Sequence, residues 1–186
     1  MFNIMLDDYP TAWNGYQLNT DYRVGIQITQ ASADTELNKF DKIEVFALLL
    51  FKSKAPDAES VAKCVEWFLN GWCLDNMPKN EAKNVQLMDF DIDAGRIYSA
   101  FLSQYHIDLN VTDMHFWKFM YLLTNLEECA FTRVVEIRAK QITSKMSKEE
   151  REVIGKAKKV YNLTQATDEA EQEATDIFLK ALNGDK

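Results

Sequence analysis

The sequence predicts an all-α protein: a single globular helical domain of about six or seven helices over residues 1–186, with a small N-terminal hairpin or arm. Three observations point there. Only three prolines and six glycines interrupt the chain, so helices can run over most of it. From Thr35 onward apolar residues recur near the 3.6-residue period. Start and stop signals then bound those stretches: Asp57, Thr112 and Ser147 are placed as N-caps, and Asn70-Gly71 and Asn183-Gly184 as ends.

The first 34 residues form the arm. Asn14-Gly15 is a turn signal between Trp13 and Tyr16, consistent with a tiny hairpin. Thr20-Asp21 can cap a short helix through Tyr22, Ile26 and Gln30, although Val24, Ile26 and Ile28 also alternate as in a strand. Residues 40–53 are apolar almost throughout, which predicts a buried helix, stopped by Lys54-Ala55-Pro56. Asp57 opens its partner through Val61, Val65, Phe68 and Leu69, with glycine ending it at C′. Residues 72–88 read as a polar surface connector.

The stretch from Asp89 to Leu126 is the centre of the prediction. Ile92, Ile97, Phe101, Leu102 and Tyr105 form one helical stripe, with Asp91 and Asp93 in the opening turn, where carboxylates suit the helix dipole. After Thr112, the residues Phe116, Trp117, Phe119, Met120, Leu122, Leu123 and Leu126 cover well over half a helix circumference. Such a helix must be buried from several sides, which makes it the central one. Glu127 and Glu128 open a further helix through Phe131, Val134, Val135, Ile137, Arg138 and Ile142. Ser147 and Glu150 form a capping box for a helix to about Val160 with thin apolar content, placed at the edge. Residues 165–186 carry an acidic amphipathic helix.

Composition narrows the function classes. A formal net charge of −8 and a pI of about 4.8 argue against a nucleic-acid footprint. The charge is uneven, with nine Lys or Arg against four Glu from Arg133 to Lys159 and five acids without a base from Asp168 to Asp176. A solvated or self-paired face is the favoured reading. No apolar run reaches the roughly 18 residues of a membrane span. Cys64, Cys73 and Cys129 are widely spaced, as suits a reducing cytoplasm, and no secretory leader is evident. Asp89, Asp91 and Asp93 begin like a calcium loop, but Ala94 and Ala100 stand where glycine and a bidentate Glu are required. His106 and His115 have no zinc-ligand spacing, and nothing near Cys129 marks an oxyanion site. His115 reads as a hydrogen-bonded core or boundary residue. The residues therefore predict a non-enzymatic protein with no metal and no cofactor.

Several segments resemble one family. NGYQLNTDYR from Asn14, DKIEVFALLLF from Asp41, and above all DFDIDAGRIYSAFLSQYHIDL from Asp89, followed by HFWKFMYLLTNL and VVEIRAKQI, are similar to the bacteriophage gene-fifteen protein family of long-tailed siphophages and prophages of Gram-positive hosts. The resemblance covers about Pro10 to Leu163. Where that family usually has glycine after the tyrosine, this chain has His106. The resemblance implies a role in tail morphogenesis, because genes of this family commonly lie just before that of the tape-measure protein, the position of tail assembly chaperones. Such chaperones coat the long helical tape measure and help recruit tail-tube subunits. The implied partners are the tape-measure protein and tail-tube subunits, and the implied location is the host bacterial cytoplasm. No catalytic or partner-binding residues carry over.

From the residues themselves, the candidate contacts are Trp13, Tyr16, Trp72, Ile177, Phe178 and Leu182, whose burial inside one monomer is hardest to guarantee. Trp67 is better explained by core packing. A homo-oligomer is expected, since repeated copies along one partner gain avidity. The alternative is a structural head-tail connector, or another tail component retained in the virion.

Overall fold

Asn14 and Gly15 both take positive φ, 46° and 86°, as a two-residue hairpin turn requires. They join Ala12–Trp13 (β1) to Tyr16–Gln17 (β2), antiparallel, with Trp13 opposite Tyr16. The computed structural model describes residues 2–73 and 86–163. The predicted C-terminal helix at 165–186 and most of the polar connector lie outside the described residues. Within them the protein is all-α, with seven α-helices beside the hairpin. The chain divides into two units, Met1–Ala82 with Phe101–Leu126, and Lys83–Ala100 with Glu127–Lys186.

In the first unit, side-chain caps set the helix starts. Asp21 accepts from Arg23 N to open Tyr22–Ala33 (α1), so the helical alternative holds over the strand for this segment. Asn38 accepts from Phe40 N and Asp41 N at Lys39–Leu50 (α2), and Asp57 accepts from Ser60 N at Ala58–Asn70 (α3). Beyond α2 the backbone turns beside the hairpin strand. Asn19 N donates to Leu50 O at 2.7 Å and Lys52 N to Gln17 O at 3.1 Å.

The second aromatic segment forms Phe116–Thr124 (α5), which buries Phe116, Trp117, Phe119 and Leu123. The Trp117 indole N–H donates to Phe68 O of α3 at 2.7 Å, and Tyr22 of α1 stacks on Phe119. Gly25 of α1 lies directly under the Phe116 ring, where an added Cβ would overlap it. Thr112 is not the cap. His115 is, with Nδ1 accepting from Trp117 N at 3.0 Å. The helix starts late because residues 114–116 are held extended against residues 20–22. Tyr22 N donates to Met114 O and Phe116 N to Thr20 O. Gly71 also departs from expectation. Its φ is −63°, not left-handed, and the need for glycine comes from the Trp117 ring, which a Cβ would approach to 2.5 Å.

The segment from Asp89 is shorter as an α-helix than predicted. Ala94–Ala100 (α4) passes into a π-helical turn at Phe101–Tyr105, and the division between the units falls at that junction. Ile97 and Phe101 are buried as the stripe requires. Ile92 precedes the helix and is exposed, and the wider π turn takes Leu102 off the stripe. His106 ends the turn at φ 56°, in the left-handed region that favours glycine.

In the second unit, α4 packs on Ala130–Ala139 (α6), and α6 on Lys148–Val160 (α7). Helix α6 begins after Glu127 and Glu128, where the Thr132 hydroxyl accepts from Cys129 N at 2.8 Å. The Ser147–Glu150 capping box is formed in both directions, and α7 contains no buried residue. Among the described residues, no helix is long and apolar enough to cross a membrane.

Candidate partner-binding surface

Helix α2 has eight apolar residues among its twelve, yet only some of them are covered. Phe46 and Leu50, four residues apart, are buried toward the neighbouring helices α1 and α3. On another face Phe40 is 81% exposed and Leu48 83% exposed. Those two are eight residues apart, so they share a face with Glu44 between them. The predicted buried helix is therefore one-sided. Two of its largest side chains stand in water on a helix that is firmly capped and packed.

The hairpin adjoins the C-terminal end of α2. The Tyr16 ring meets buried Phe51 edge-on at 5.9 Å, and Leu18 bridges to Phe51. Trp13 is the cross-strand partner of Tyr16, so their side chains share one side of the hairpin, and both are partly exposed. Trp72 is placed differently. Its indole N–H donates to Leu69 O at 2.9 Å and its ring packs edge-on against Tyr121, whose hydroxyl donates to Trp72 O. Trp67 packs edge-on against Trp117. Ile177, Phe178 and Leu182 lie outside the described residues. The structure thus brings Trp13 and Tyr16 together near α2, while Trp72 sits at the end of α3. Phe40 and Leu48 were missed as contact candidates because a continuous apolar run gives no sign of which face finds neighbours.

The second unit holds a group the sequence did not single out. Arg138 of α6 is 8% exposed and Asp93 is fully buried. The guanidinium grips the carboxylate with two bonds, Nη1 to Oδ2 at 2.6 Å and Nη2 to Oδ1 at 3.1 Å. Nε donates to Tyr161 O and Nη1 also to Leu87 O, while Arg96 donates to Asp93 Oδ1 at 3.0 Å. Burial alone would raise the Asp93 pKa. The Arg138 hydrogen bonds, with Asp89 N and the charges of Arg138 and Arg96, outweigh it and hold the carboxyl below its usual range. This explains the calcium-like Asp89-Asp91-Asp93 spacing. Asp89 caps the turn by accepting from Asp91 N and Ile92 N, and Asp93 serves the ion pair. Among the described residues, no group of three His, Cys, Asp or Glu side chains could hold a metal ion.

His115 is the hydrogen-bonded residue its position suggested. Because Nδ1 accepts from Trp117 N, the proton sits on Nε2, which donates to Pro10 O at 3.0 Å. Burial holds its pKa down, opposed in part by that carbonyl. Burial likewise pushes the Cys64 thiol up to about 12, so it packs as an inert apolar group.

Residues 6–163 match the model of the family described as Bacteriophage Gp15 protein. No curated protein and no solved structure matches the chain. The family match takes in the hairpin, all seven α-helices, the α2 face and the Asp93–Arg138 pair, so this chain belongs to the Bacteriophage Gp15 protein family.

Proposed function

We propose that the protein is a tail assembly chaperone-like protein that binds the tape-measure protein during tail morphogenesis and performs no chemistry of its own. Membership of the family suggests a tail-related role. The observation that supports the finer reading is the uncovered apolar face of α2, with Phe40 and Leu48 on a rigid, capped helix. A long helical partner offers an apolar stripe of its own, and such a face can lie along it as in helix-in-groove recognition. Burying each side chain is worth about 1.5–3 kcal/mol, too little for one copy to bind tightly after the losses of association. Many copies along one partner would gain avidity, which is why homo-oligomerisation on the tape measure belongs to the proposal. Trp13 and Tyr16 extend the contact from the end of α2, and Trp72, Ile177, Phe178 and Leu182 complete the proposed set. Tail-tube subunits are the second proposed partner.

Co-expression with the tape-measure protein of the same phage tests this. The wild-type chain should keep the tape measure soluble and co-purify with it. The Phe40→Asp/Leu48→Asp variant should lose most of that complex while keeping its helical circular dichroism. Wild-type yield of complex from the variant would remove α2 from the interface. Stoichiometric presence of the chain in purified virions would favour the retained-component alternative over a transient chaperone.

A further inference from the structure

Helix α2 leaves one row of side chains in water. Phe40, Glu44 and Leu48 are all exposed and follow one another at four-residue spacing, so the row is about 12 Å long with a carboxylate at its midpoint. The helix positions three and four residues from Glu44 are Phe40, Asp41, Ala47 and Leu48, and none of them is a base. Lys42 is turned to α1, where its Nζ donates to Ser32 O at 2.7 Å, and Asp41 accepts from Asn38 Nδ2. Lys39 lies about 140° round the helix from Glu44, and Lys52 comes after the last helical residue. Among the described residues Glu44 forms no ion pair.

That midpoint decides what can dock. Any surface that covers both Phe40 and Leu48 also covers the carboxylate between them, and stripping Glu44 of water without a counter-charge costs more than burying either neighbour returns. A second copy does not supply one. Antiparallel pairing that sets Phe40 on the copy's Leu48 or Phe40 brings Glu44 to the copy's Glu44 or Glu36, and in-register parallel pairing again joins Glu44 to Glu44. Setting Leu48 on Leu48 reaches Lys52 but leaves Phe40 uncovered. An extended segment presents side chains at a similar spacing, yet its backbone N–H and C=O groups would face a helix whose own are already paired.

We infer that the α2 face takes an amphipathic helix bearing an arginine or lysine between two apolar residues, each about four positions from it. The cation then sits on Glu44 while the apolar pair packs on Phe40 and Leu48, with the four-residue ridges of the two helices interdigitated. A helix whose stripe is wholly apolar, or acidic at its midpoint, is rejected by the unpaired carboxylate. The inference rests on α2 being the contact surface proposed above and adds the charge that its partner must carry.

A displayed library of helices of about 18 residues tests this without reference to a natural partner. Leucine is fixed at two positions eight apart on an alanine-rich scaffold, the position midway is randomised, and the library is selected on the intact protein. Arginine and lysine should be enriched at the midpoint at least about tenfold over glutamate and aspartate, and selection on Glu44→Arg should reverse that order. Retention of no helix, no preference at the midpoint, or the same preference on both proteins would overturn the inference. In co-expression with the tape-measure protein, Glu44→Arg should lower the yield of complex at least about tenfold while its helical circular dichroism stays that of the wild type. A complex lost with Phe40→Asp/Leu48→Asp but untouched by Glu44→Arg would overturn the inference and leave α2 standing as the contact surface. Basic midpoints selected by the library, with no tape-measure complex from the wild type, would support the inference and remove the tape measure as the partner.

Discussion

The two units solve the problem of burying polar groups in opposite ways. In the unit of α1, α2, α3 and α5, neutral ring donors each reach a backbone carbonyl. Tyr22 donates to Leu109 O, Trp117 to Phe68 O, Tyr121 to Trp72 O, Tyr105 to Leu122 O and His115 to Pro10 O. Aromatic area supplies the stability and the polar tips are satisfied locally. In the unit of α4, α6 and α7, far fewer side chains are buried, and one carboxylate–guanidinium pair lies among them. A neutral hydrogen bond is worth about 1 kcal/mol net, whereas stripping a buried charge of its partner costs several. The aromatic unit should therefore tolerate single losses that the ionic unit does not.

Arg138→Ala gives the largest expected effect. It should destabilise the second unit by up to about 3–5 kcal/mol, read as accelerated exchange of α6 amides, because buried Asp93 loses the guanidinium that binds both its oxygens and keeps only Arg96 and Asp89 N. Asp93→Leu combined with Arg138→Met should recover most of that loss. If Arg138→Ala costs less than about 1 kcal/mol, the pair is not what holds this unit together.

One substitution made in each unit sharpens the contrast further. Gly25→Ala forces a methyl into the Phe116 ring and should cost about 1–3 kcal/mol in denaturant unfolding. Gly155→Ala in α7 meets nothing within 4 Å and should stabilise by up to about 1 kcal/mol through helix propensity. Equal signs at the two glycines would contradict the packing described.

Acid should separate the units with the smallest effect. His115 and Asp93 both have folded pKa values below their ordinary 6.5 and 3.8. In each case the unfolded chain takes up the proton first. The contribution is complete above the ordinary value and is lost as pH falls through the folded one. The aromatic unit should weaken first, below about pH 6.5, and the ionic unit only below about pH 4. All four tryptophans lie in the first unit, so their fluorescence reports on it while α6 amide exchange reports on the other. Loss of α6 protection at the higher pH would reverse the assignment.

Local signals carried most of the fold. Asn14-Gly15 specified the hairpin, Asp57 and the Ser147–Glu150 pair set two helix starts, and the Phe116–Leu123 aromatics marked the most buried helix. What escaped depends on who meets whom. Asp93 and Arg138 are 45 residues apart, and nothing in either neighbourhood says they are partners. Gly71 reads as a helix stop until the Trp117 ring is seen against it, and Thr112 reads as a cap until residues 114–116 are seen held extended. At the candidate surface, Trp13 and Tyr16 flank the turn that Asn14-Gly15 announced, and both are partly exposed. Phe40 and Leu48 were hidden in an apolar run whose coverage only the tertiary neighbours decide.

Arg138 also fixes an order of events during synthesis. Its acceptors are Leu87 and Asp93, made well before it, and Tyr161, made after it. The aromatic unit has all its described chain once Leu126 has left the ribosome, so it can close while the guanidinium still lacks its last carbonyl. A ribosome stalled between those two points would carry a finished aromatic unit beside a half-built ionic one.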